Sequence, residues 1–176
     1  MRQALEYMSD YLEDSQGDIG AIRQKLKQID DSLKQLQEQA LTDYGNQFIQ
    51  RNDYCVQYSQ MRLNQVHILQ QMLLPLQNIH LQTEQNTVLA RLYYQTAEEF
   101  DEQNTGAALL ADISVLYRYF QDTVLPKSRQ EFESRALLYQ LLIQFEHFLQ
   151  EKYDFFIQHP LNVIIQLMQR TMQPND

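Results

Sequence analysis

Two arginines stand on stripes that otherwise read as apolar, and they are the residues best placed to bind something. Arg62 is in phase with Tyr58, Val66 and Leu69. Downstream, Phe132, Arg135, Tyr139, Leu142, Glu146, Leu149 and Tyr153 keep three–four spacing, which turns Arg135 and Glu146 inward or to the rim of a helix. A lone buried charge is costly, so each needs a partner. One solution is a structural Arg–Glu pair between helices that fixes their register. The other is an anion pocket, in which Arg62, Arg135 and the tyrosines Tyr54, Tyr58 and Tyr139 hold an aromatic carboxylate, guanidinium on the acid and ring against ring. Eleven tyrosines and no tryptophan supply rings for either arrangement.

Other chemistry finds no support. The four histidines, His67, His80, His147 and His159, form no i,i+3 or i,i+4 pair, and neither H-E-x-x-H nor the E-x-x-H element of di-iron bundles occurs. The acidic run Glu98, Glu99, Asp101, Glu102 lacks EF-hand spacing and reads as a solvated helix end. No Walker loop, G-x-G-x-x-G or G-x-S-x-G is present, and four glycines supply no ordinary phosphate cradle. Cys55 is the only cysteine; it has no nearby partner that would make it a nucleophile, and its apolar-periodic context reads as a small core residue. The expectation is a chain that is not an enzyme and carries no metal or cofactor.

The elements that position these residues are helices. Leu5, Met8, Leu12, Ile19, Ile22, Leu26, Ile29, Leu33, Leu36 and Ala40 recur at three–four spacing, interrupted only at Ser15. This heptad seam predicts one long first helix, continuous or gently bent through Gly17 and Gly20. The seam faces other helices of the chain, or forms a coiled-coil contact with a second chain. A second helix is expected from about Asp53 to Ile79, kinked at Pro75. A third runs from Thr83 or Glu84 to about Glu102, and a fourth from Ala107 to Asp122. Ser128 and Glu131 form an S-x-x-E capping box that opens a fifth helix, Arg129 to Gln158. His159-Pro160 ends it and starts a short amphipathic last helix, Leu161 to about Met172. The fold expected is all-α: an antiparallel helical bundle of about five long helices plus a short C-terminal helix, one domain over residues 1–176.

Composition agrees. Only four glycines and four prolines punctuate 176 residues, too few for the turns of a sandwich or barrel, while 28 glutamines favour helix and solvate its surface. The formal net charge of −9 argues against nucleic acid and against a basic face for anionic lipid. No apolar stretch is long enough to cross a bilayer and no signal peptide is visible; the lone thiol fits a reducing compartment.

Two stretches carry a family resemblance. One is Asp53-Tyr54-Cys55-Val56-Gln57-Tyr58-Ser59-Gln60-Met61-Arg62 with Ile68-Leu69 and Met72. The other runs from Leu125-Pro126-Lys127-Ser128-Arg129-Gln130-Glu131-Phe132 through Arg135 and Tyr139 to Leu142, then Phe145-Glu146 and Phe148-Leu149. Glu102-Gln103-Asn104-Thr105-Gly106 fits between them. Together they resemble the C-terminal domain of the putative aromatic acid exporter family of Gram-positive bacteria, from the first helix to Lys152. The resemblance implies an N-terminal membrane-spanning region in the same full-length protein and a soluble helical domain on the cytoplasmic face of the membrane. It further implies that this domain is excised from a larger membrane protein. The reading drawn from this is a structural or regulatory role, and the heptad seam of the first helix is where a homo-oligomer contact is expected. The family supplies no catalytic residues.

Overall fold

The computed structural model describes residues 1–14, 17–44, 51–101 and 104–160. Six helices make up the described chain: α1 (Arg2–Asp14), α2 (Ile19–Tyr44), α3 (Arg51–Gln77), α4 (Glu84–Glu98), α5 (Ala107–Asp122) and α6 (Arg129–Gln158). The bundle architecture is the one expected. The expected last helix, Leu161 to Met172, lies outside the described residues, as do Gln103 and Glu102.

The heptad seam does not form one helix. It is broken after Asp14, and α2 starts anew at Ile19. Asp18 accounts for the restart: its Oδ1 accepts from the Gly20 amide at 2.7 Å, and its carbonyl accepts from Ile22 at 3.2 Å. This is N-cap chemistry, which satisfies amides that an interior turn would have bonded backward. A Cβ on Gly17 would lie 3.0 Å from the ring of Tyr11, so the turn lies close against α1 and a side chain there would make Tyr11 shift.

Cross-helix contacts give the directions. Arg2–Glu98 and Ser9–Ala90 make α1 antiparallel to α4. Asp30–His67 and Gln37–Gln60 set α2 antiparallel to α3. Gln65–Phe148 and Tyr54–Phe155 set α3 antiparallel to α6, and Tyr117–Glu146 with Phe120–Tyr139 do the same for α5 and α6. Tyr93 on Phe145 and the Asp101 carbonyl on Lys152 leave α4 parallel to α6. It follows that α1 and α2 run in opposite senses, so the seam folds back on itself.

Each half of the seam is used within the chain. Leu5, Met8, Leu12, Ile22 and Leu26 are fully buried, whereas Leu36 near the far end of α2 is 57% exposed. α3 lies between α2 and α6 and is apolar around much of its circumference, with Met61, Leu63, Val66, Leu69, Met72, Leu73 and Leu76 buried. It continues two residues past Pro75, which therefore sits in its last turn. Cys55 is exposed rather than in the core, one position away from the buried Tyr54 that takes the inward place.

α4 is opened by Asn86, whose Oδ1 accepts from the Thr83 amide and hydroxyl at 3.0 and 2.8 Å. For α6 the Ser128 half of the expected capping box forms: Ser128 Oγ accepts from the Glu131 amide at 3.1 Å, while the Glu131 carboxylate accepts from the Lys127 amide at 2.8 Å, one residue ahead of the N-cap amide that a full box engages.

Candidate functional site

The site is built around Arg62, which is only 6% exposed although it carries a guanidinium. Its Nε and Nη2 donate to the Tyr58 hydroxyl at 3.0 and 2.7 Å, and its Nη1 donates to Gln65 Oε1 at 2.9 Å. All three bonds go to neutral oxygens. No carboxylate pairs with Arg62 among the described residues. Positions 58, 62 and 65 are one turn apart on α3, so the helix itself fixes this arrangement. Gln65 is fully buried, and its Nε2 donates to the Phe148 carbonyl of α6 at 2.8 Å.

A second cation arrives from α6. Lys152 is 5% exposed and donates to the carbonyl of Asp101, just after α4. The Phe100 ring connects the two: Arg62 lies 4.8 Å and Lys152 5.7 Å from its centroid. Arg62 also lies over the Tyr58 ring at 5.0 Å. Ring faces attract cations and offset part of the cost of removing them from water. The two charges are within roughly 10 Å of each other, about one Debye length at ordinary salt.

Beside them is a narrow recess lined by Gln65, Thr96, Glu99, Phe100, Asn104, Phe148 and Lys152, with room for about one water molecule. The connection from α4 to α5 forms its wall. Asn104 Nδ2 donates to the Glu99 carbonyl and carboxylate at 3.1 and 3.2 Å, and its Oδ1 accepts from Gly106 at 2.8 Å. The start of α1 lies at the same end of the bundle: burial first, then Arg62 and Lys25, lower the pKa of the Met1 amine.

Of the sequence candidates, Arg62, Tyr54 and Tyr58 come together, with the two tyrosine rings stacked 6.1 Å apart and Tyr54 against Phe155 at 5.3 Å. Arg135, Tyr139 and Glu146 do not join them. Arg135 is about 20 Å from the Phe148 contact, back toward the start of α6, at 1.5 Å rise per residue. There it pairs with Glu131 of its own helix at 2.6 Å and donates to the Val124 carbonyl. Tyr139 is 38% exposed and meets Tyr117 and Phe120. Glu146 accepts from the Tyr117 hydroxyl at 2.5 Å. Arg135 and Glu146 thus each have a partner, but not one another.

Lys152 and Gln65 escape the sequence reading. The stripe followed there, Phe132 to Tyr153, shares only Leu142 and Leu149 with the buried face of α6. A second line of buried residues on that face is Ser134, Leu138, Leu141, Phe145, Phe148, Lys152 and Phe155, also at three–four spacing. A lysine in phase with three phenylalanines was the available signal.

Fold and site define an all-helical bundle module with two buried cationic side chains, Arg62 and Lys152, at its polar centre; no described helix is long and apolar enough to cross a membrane. The chain belongs to the family described as the putative aromatic acid exporter C-terminal domain, whose pattern matches residues 1–153. It is 27% identical over 110 residues to the Bacillus subtilis (strain 168) protein named "Uncharacterized protein YqjA", covering 62% of this chain and 34% of that one. The chain thus spans about a third of that relative's length. Its fold is similar to the crystal structure of a putative membrane protein from Clostridium difficile 630, with a TM-score of 0.73, 19% identity, and coverage of 89% of this chain and 92% of that one.

Proposed function

We propose that this chain is the soluble, non-catalytic domain on the cytoplasmic face of a membrane exporter of aromatic acids, where it has a structural or regulatory role. Family membership supports the setting. The observation that carries the role is α1. Leu5, Met8 and Leu12 are buried to within 1% of completely, Ser9 is bonded to α4, and Arg2 is paired with Glu98. A membrane region joined ahead of α1 would be coupled to the core of the bundle, because a helix packed this tightly moves as a rigid element. A contact between copies through the seam would use Leu36, since most of the remaining described seam is occupied within the chain.

The test uses the full-length protein. A flexible Gly/Ser insert between the membrane region and α1 should change export of aromatic acids or subunit assembly while leaving the domain folded. Export and assembly identical to the unmodified protein would overturn the coupling role.

A second reading is favoured by Arg62, a buried guanidinium whose partners are all neutral. It makes the domain a sensor that binds an aromatic carboxylate between its helices.

A further inference from the structure

We propose that two copies of this chain pair through the outer face of α5, with the two helices antiparallel and Val115 on the twofold axis. The proposal goes beyond the exporter reading and does not rest on it.

α5 is the most apolar of the six helices in composition, yet only Leu109 and Ile113 among its residues are buried. It is an edge helix, packed mainly on α6 and lightly on α4. Six of the ten exposed large hydrophobic residues described, Val115, Val124, Leu125, Phe132, Tyr139 and Ile157, belong to the α5–α6 hairpin. Val115 is 56% exposed in the middle of α5. It is two residues from the buried Ile113, which puts it on the opposite side of the helix.

The face around Val115 is complementary to itself. Ala108, Ala111, Asp112, Arg118 and Asp122 are exposed on it, with the half-buried Tyr119 at its edge. In an isologous pair, reversing α5 about Val115 brings position 112 level with 118 and 111 with 119. Asp112 of each copy then meets Arg118 of the other, twice by symmetry, and the small Ala111 comes level with the Tyr119 ring. A parallel pair would set Asp112 against Asp112 and Arg118 against Arg118, which repels. Within one copy, neither Asp112 nor Arg118 has an ion pair or hydrogen bond among the described residues. Their charges are unmatched in one chain and matched between two.

Net charge favours this surface for a second copy. The chain carries −9, so copies repel one another over most of their surface. Residues 107–150, which hold α5 and the part of α6 beneath it, contain five acidic and four basic residues; this sum of −1 leaves −8 to the rest. The apolar side chains supply the affinity, because exposed ion pairs contribute little and chiefly fix the register. Two copies joined to one membrane would have this twofold axis as its normal, with α5 lying along the surface.

Sedimentation equilibrium of the 176-residue chain provides the test, with circular dichroism to show that each variant is folded. Expected is a monomer–dimer equilibrium with a Kd of about 1–100 µM. Val115→Glu puts two carboxylates on the axis and should weaken pairing at least about tenfold. Asp112→Arg and Arg118→Asp should each weaken self-pairing about fivefold or more. Mixed together, these two variants should pair about as well as the unmodified chain, because each supplies the charge that the other lacks. A chain that stays monomeric at ~1 mM, well above the expected Kd, would overturn the proposal. A dimer that Val115→Glu leaves intact would overturn it too, and loss of that dimer in Leu36→Glu would place the contact on the seam instead. Single reversals without effect, or a mixture without recovery, would overturn the antiparallel register.

Discussion

Ser9 of α1 donates its hydroxyl to the Ala90 carbonyl of α4 at 2.8 Å, and both side chains are buried. Ser9 and Ala90 are both small and buried, as are Ala4 on α1 and Ala97 on α4, and small side chains let two helix backbones approach. The helix on which the proposed coupling depends is therefore held by close fit as well as by its leucines.

Replacing Ser9 separates these contributions. Ser9→Ala removes one net hydrogen bond and should cost about 0.5–1.5 kcal/mol. Ser9→Leu also removes the bond and in addition forces the helices apart, and should cost more, about 1–3 kcal/mol. Urea unfolding followed by circular dichroism checks the order. A Leu variant as stable as the Ala variant would show that the approach is not tight.

Gly106 is the residue ahead of α5, with φ of +79°. A Cβ there would be 3.8 Å from the Leu149 carbonyl oxygen, an ordinary contact, so space is not the obstacle. The left-handed backbone is. Gly106→Ala should lose roughly 1–2 kcal/mol from that source, measured by the same unfolding curves, with helix content unchanged.

Tyr117 and Glu146 share a 2.5 Å hydrogen bond between α5 and α6. Burial, and then that bond, raise the pKa of the phenol well above its usual value. Burial alone does the same to Tyr93. A raised folded-state pKa means stability that is fully present below the unfolded value near ~10 and lost as pH rises through the folded one. The urea midpoint should fall on going above that pH, and less steeply in Tyr117→Phe. At neutral pH that variant should lose about 1.5 kcal/mol, the low end for a bond to a charged group, since both side chains are partly exposed.

Asp30 ties α2 to α3. The Lys34 ammonium at 2.7 Å, ahead of His67 at 3.2 Å, holds its carboxyl below the usual range against the opposing effect of burial. A lowered pKa contributes stability present above the unfolded value near ~3.9 and lost as pH falls through the folded one. Asp30→Asn should flatten the acid limb of a stability–pH profile. An unchanged acid limb would show that the pair is too solvated to matter.

Much of this molecule is legible in its residues. Three–four periodicity is a local property, and with so few glycines and prolines it dictates helices over most of the chain, including the bounds of α5 and α6 and the Ser128 cap. Arg62 shows itself as a charge in phase with Tyr58 and Val66. What periodicity cannot give is which neighbour covers a stripe. The seam of α1 and α2 keeps its phase across Gly17 and Gly20, yet the chain reverses there, because an Asp18 cap and packing on α4 and α3 outweigh a pattern that a straight helix would also satisfy. On α6, two adjacent stripes have the same spacing, and only packing selects the one carrying Lys152. Sequence therefore determined the elements and one cation. Tertiary structure decided that Arg135 keeps its partner on its own helix, that Glu146 turns to Tyr117, and that Arg62 meets Lys152 across Phe100, because those outcomes depend on distances between helices that no local spacing encodes.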